Sequence, residues 1–117
     1  MPSKDPRRAL LDIQDHIELV KEFTLGFDEP RFVADTKTVY SVVRCLEIIS
    51  EASRRLPDAI KARHPNVPWK KMAGAGNVYR HDYEGVAAIY VWDTIAASLP
   101  VLRDMVEREL KTPDECN

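Results

Sequence analysis

TKTVYSVVRCLEIISEASRRLP, residues 36–57, is the stretch that decides the fold. Val39, Val42, Leu46, Ile49, Ser53 and Leu56 recur every three or four residues, a seam that only helical winding gathers on one side. Asp35 stands where an N-cap belongs, and Pro57 ends the helix or starts a short extra turn through Ala62. The opposite face carries Tyr40, Arg44, Glu47, Glu51 and Arg54 in a polar stripe about 80° wide. Such a stripe is ordinarily a solvated face laced with weak ion pairs. It is also the right shape for one wall of a polar groove.

Upstream, Asp5-Pro6 reads as an N-cap with proline in the first turn, and Leu10, Ile13, Ile17 and Val20 form a second buried stripe. Gly26 stops that helix, and a linker of about eight residues containing Pro30 leads to Asp35. Downstream, a shorter helix starts near Trp69 with Pro68 at its mouth; Gly74 and Gly76 make its middle pliable. The last helix is long. Ala88, Trp92, Ile95, Leu99, Leu102 and Val106 hold one apolar face across Pro100, which should kink or split it. No segment alternates as a strand would. Short connections between amphipathic helices predict an all-α, up-and-down antiparallel bundle of four main helices with short extra turns.

The 117 residues suit one domain, 1–117, with a frayed tail at about 112–117. The apolar share of 44% is that of a globular protein, and no apolar run approaches the roughly 20 residues that cross a bilayer. No membrane association is therefore expected. The opening MPSKDPRRALLDIQ lacks the apolar core of a secretory signal. Cys45 lies in a helical pattern and Cys116 in a polar tail, so no disulfide is expected and a cytoplasmic home is. With 17 basic and 19 acidic residues, the net charge of −2 excludes coating of nucleic acid by bulk electrostatics. A local basic pocket remains open to Arg54 and Arg55, or to Lys70 and Lys71.

Chemistry concentrates between Pro65 and Val86, PNVPWKKMAGAGNVYRHDYEGV, where Arg80, His81, Asp82, Tyr83 and Glu84 follow one another. His81 is the best general acid–base candidate, because an imidazole with a reference pKa near 6.5 switches close to neutral pH. His16 reads as a surface residue and His64 as a helix end. If residues 77–84 are helical, Asn77 shares a face with His81, while His81 and Tyr83 point about 160° apart. A break near His81 would bring the two rings together, and Gly85 makes a turn there plausible. The Gly-Ala-Gly step admits two readings: amides approaching an anion, or tight helix packing. No zinc spacing, calcium loop, phosphate-loop lysine or dinucleotide fingerprint is present, so no metal or cofactor is expected.

Three segments, RCLEIISEASRRLP (44–57), PNVPWKKMAGAGNVYRHDY (65–83) and VWDTIAASLPVL (91–102), resemble the HepT-like proteins of the HEPN superfamily. These are small helical toxins typically encoded beside a minimal, MntA-like nucleotidyltransferase that acts as antitoxin. The resemblance implies a homodimeric, metal-independent endoribonuclease acting on RNA. Its signature is an arginine, four to six residues, a histidine, one residue and a tyrosine. His81 and Tyr83 match the last two positions. His81 would handle the proton of a ribose 2′-hydroxyl, and Tyr83 would be adenylylated by the partner nucleotidyltransferase, blocking the site by charge and bulk.

The chain departs from that pattern at one place. The family arginine normally precedes the asparagine, and here that place is Gly76. Arg80 or Arg44 would then anchor the phosphate, with Asn77, Arg44 and Glu51 lining a supporting polar groove. The alternative is a catalytically weak or inactive dimeric module that docks the nucleotidyltransferase.

Overall fold

The computed structural model describes residues 5–78 and 86–111, the side chains at 75–78 and 86–87 excepted. Among the described residues seven helices follow in order: α1 (Pro6–Thr24), α2 (Glu29–Ala34), α3 (Thr36–Arg54), α4 (Asp58–Arg63), α5 (Trp69–Val78), α6 (Val86–Ala97) and α7 (Leu99–Lys111). No strand occurs among the described residues. The architecture is the expected all-α bundle. α3 packs chiefly against α1 and α5, α1 also against α7, and α6 spans α2 and α7.

The elements begin where short acidic side chains meet free amides. Asp5 accepts from the amide of Arg7 at 2.9 Å, and Asp35 from that of Thr38 at 3.0 Å. α1 ends at Thr24 with Leu25 as its C-cap, and Gly26 turns the chain in the left-handed region at φ 81°, which costs a glycine nothing. Both predicted stripes face inward: Leu10, Ile13, Ile17 and Val20 from α1 meet Val42, Leu46 and Ile49 from α3 in the core. Leu102, Met105 and Val106 of α7 join them. Cys45 is buried there too, and burial pushes its thiol pKa up, with the nearby Arg44 charge opposing.

Two features refine the sequence reading. The segment around Pro30 is not a plain linker. Asp28 caps α2 by accepting from the amide of Arg31 at 3.0 Å, and Pro30 falls in the first turn, where its missing N–H costs nothing. α2 seats Phe32 fully inside, 5.1 Å between ring centroids from Trp92 of α6. The last long helix is split, as Pro100 required: α6 ends at Ala97, Ser98 forms a turn, and Pro100 is the second residue of α7. Ser98 keeps the two pieces in line, donating to Thr94 O at 2.9 Å and accepting from the amide of Leu102 at 3.0 Å.

A polar staple fastens the end of α4 to α7. Arg63 grips the Glu109 carboxylate with both prongs, Nη2 to Oε1 at 2.7 Å and Nε to Oε2 at 3.1 Å. His64 Nε2 lies 2.6 Å from the same Oε2. The Glu109 side chain is only 9% exposed, so these donors replace its lost water. Arg63 first, and His64 after it, hold its carboxyl below the ordinary carboxylate range, while burial pushes the other way. Because the folded value is the depressed one, ionised Glu109 adds stability that is complete above its ordinary value of 4.5 and drains as pH falls through the folded value. Glu109→Gln should lose about 2 kcal/mol at neutral pH. Its urea-denaturation midpoint should also fall less than the wild type's between neutral pH and pH 3; parallel curves would refute the role.

Candidate active site

The run from Arg80 to Glu84 follows α5 directly, so the supports of α5 are where its positioning begins. Pro68 opens that helix, its carbonyl accepting from the amide of Met72 at 2.9 Å. The Trp69 indole N–H reaches back to the carbonyls of Lys61, at 3.2 Å, and His64, at 3.0 Å, tying the mouth of α5 to the end of α4. Met72 is fully buried. On α3, Ala52 and the hydroxyls Ser50 and Ser53 are small enough for α5 to come close. Ser50 Oγ donates to Ala73 O at 2.7 Å, and Arg54 Nη1 donates both to that carbonyl, at 2.5 Å, and to Ser50 Oγ, at 3.0 Å.

On the far side of the run, α6 is held by Phe32 against Trp92 and by its own buried Val91 and Thr94. Lys71 Nζ of α5 lies 5.2 Å from the centre of the Tyr90 ring of α6, a cation–π contact between the two helices that bracket residues 79–85. The two helices on either side of residues 79–85 in the chain thus have separate anchorage in the bundle.

Arg80, His81, Asp82, Tyr83 and Glu84 lie outside the described residues, as does the side chain of Asn77, whose backbone belongs to α5. The α3 members of the expected groove are described. Arg44 is exposed and pairs with Glu47 one turn on, at 3.1 Å. Glu51 turns to Arg55, 3.3 Å away, and Arg55 Nη2 donates to Asp12 Oδ2 of α1 at 2.8 Å. The polar stripe therefore divides: Glu51 is drawn toward α1, and Arg54 toward α5. At Gly74 an added Cβ would meet no described atom within 4 Å.

His16 is half-buried, its Nδ1 lying 2.7 Å from Asp12 O in its own helix, and His64 caps α4, as its position before Pro65 implied. The sequence reading placed Arg54 in the polar stripe of α3 and in a basic pair with Arg55, with no tie to α5. The contact with Ala73 joins residues 19 apart and has no periodicity to reveal it. Among the described residues no three His, Cys, Asp or Glu side chains converge as a metal site would need, and no helix is long and apolar enough to cross a membrane.

Comparison with known proteins agrees with this architecture. The family described as "Ribonuclease HepT-like" matches residues 13–109. A protein of Thermococcus cleftensis named "Probable ribonuclease HepT" is 39% identical over 99 residues, which cover 85% of this chain and 90% of the relative. "Putative RNase MJ0125" of Methanocaldococcus jannaschii is 32% identical over 115 residues, covering 98% of this chain and 99% of the relative. No solved structure matches. A match that runs through α2 to α6 in full and most of α1 and α7, with relatives of nearly the same length, places this chain in the HepT-like family.

Proposed function

We propose that this chain acts as a single domain, the ribonuclease toxin of a toxin–antitoxin pair, cutting RNA without a metal ion. The observation that carries the reading is the unbroken Arg80-His81-Asp82-Tyr83 inside a family match covering residues 13–109. His81 takes the proton of a ribose 2′-hydroxyl. The 2′-oxygen then attacks the adjacent phosphorus, and the bond to the 5′-oxygen breaks. The products are a 2′,3′-cyclic phosphate and, once the leaving oxygen gains a proton, a 5′-hydroxyl. Arg80 supplies positive charge to the phosphoryl oxygens as they gain charge, with Asn77, Arg44 and Glu51 as the surrounding polar wall. Tyr83 is the off-switch. Its adenylylation by a partner nucleotidyltransferase sets a bulky anion beside the RNA path. Two copies form a homodimer.

The test is cleavage of RNA by the purified chain in the presence of EDTA. Cyclic-phosphate ends are expected from the wild type, with the rate falling by a hundredfold or more in His81→Ala. Cleavage that survives the loss of His81 would end this assignment. Gly76 favours a second reading, a docking module with little activity of its own. That reading expects no cleavage by the wild type, a stable complex with the nucleotidyltransferase, and Tyr83 still modified when partner and ATP are supplied, as read by mass analysis.

A further inference from the structure

Among the arginines of α3, α4 and α7, Arg54 differs in its partners. Arg44 pairs with Glu47, Arg55 with Asp12 and Glu51, Arg63 with Glu109, Arg103 with Glu18 and Glu107, and Arg108 with Asp104. Arg54 alone among them has no carboxylate partner among the described residues. One nitrogen, Nη1, is fixed on Ser50 Oγ and on the Ala73 carbonyl. Both acceptors are neutral, so among the described residues the positive charge is positioned but not cancelled. Its Nε and Nη2 make no hydrogen bond or ion pair with a described residue, and the side chain is exposed.

We propose that Arg54 is a phosphate anchor for single-stranded RNA, a positioning residue that holds the strand beside α5 while His81 acts. This rests on the ribonuclease reading above. A guanidinium pinned by one prong has already lost much of its rotamer freedom, so less entropy is lost when the other donors meet a phosphate. Gly74 adds room: it follows the carbonyl that holds Arg54, and no described atom lies within 4 Å of where its Cβ would be. The reach is suitable. Five helical steps from Ala73 to Val78 and three further residues to His81 keep the two Cα atoms within roughly 18 Å. In a chain of net charge −2, affinity for RNA has to come from a few placed cations, and Arg54 is placed.

The test is fluorescence anisotropy with a labelled single-stranded RNA dodecamer, across a salt series, in a His81→Ala background that prevents cleavage. Arg54→Gln, which retains N–H donors for Ala73, should weaken binding about tenfold. It should also reduce the slope of log affinity against log salt by about 0.7, the loss of one phosphate contact. Arg54→Lys should keep that slope, and Arg108→Gln, which removes the same charge from α7, should leave it unchanged. If Arg54→Gln lowers the melting temperature but leaves slope and affinity as they were, Arg54 is only a staple between α3 and α5 and the proposal is overturned. If the parent chain binds no RNA, the ribonuclease reading fails first and takes the anchor with it, an outcome distinct from RNA bound with an unaltered slope.

Discussion

Replacing Gly76 with arginine is expected to raise the rate of RNA cleavage by about a hundredfold or more. Phosphodiester cleavage piles negative charge onto the phosphoryl oxygens, and a preorganised cationic donor aimed there contributes on the order of 3–4 kcal/mol in comparable sites. Glycine supplies none of it. The substitution is also tolerable for the backbone, because α5 is helical through Val78 and arginine favours a helix interior over glycine by about 0.8 kcal/mol. The melting temperature should therefore hold or rise, so a gain in rate would not be a by-product of rescued folding. Measured beside the wild type and His81→Ala, the variant separates the competing readings. An active wild type that gains nothing already draws its cation from Arg80 or Arg44. A silent wild type that Gly76→Arg awakens is a docking module whose catalytic apparatus lacks one part. Silence in both forms would count against any ribonuclease role for His81.

What the residues disclosed in advance was whatever repeats or whatever is locally chemical. The seam from Val39 to Leu56 is periodic, and all but the half-buried Val39 are buried. Asp35 and Pro100 act on their own backbone neighbourhoods, so the start of α3 and the division between α6 and α7 were legible. α2 was not, although its Asp28 and Pro30 carry a start signal like that of Asp5-Pro6. Six residues are too few for a period to show, and Phe32 is the only fully buried side chain it offers. The chemical run at 80–84 declared itself by residue types alone. Its supports did not: Arg54 on Ala73 and Glu109 under Arg63 and His64 join residues 19, 46 and 45 positions apart, and only folding brings them together. The division of the polar stripe has the same origin. One helical face looked uniform, but α1 and α5 approach it from different sides and each takes its own members.

Phe32→Ala is expected to cost about 3–5 kcal/mol, the largest stability loss of any single substitution considered. Phe32 has no exposed surface, yet it sits on a six-residue helix that could not persist alone in water. α2 thus holds its shape because its ring is buried against Trp92, and the ring is placed there because Asp28 and Pro30 wind the backbone correctly. Removing the ring leaves a cavity at the α2–α6 contact and withdraws the reason for α2 to stay folded. A bundle of this size has about 5–15 kcal/mol in total, so the variant should be marginal at 37 °C. Phe32→Leu, which refills most of the volume, should cost well under half as much. The loss should also reach function, because α6 is one of the two helices that bracket residues 79–85. Urea denaturation followed by circular dichroism gives the stability of each variant. A Phe32→Ala loss below about 1 kcal/mol, within what an exposed site would show, would mean that α2 is an ornament on the bundle and not one of its fastenings.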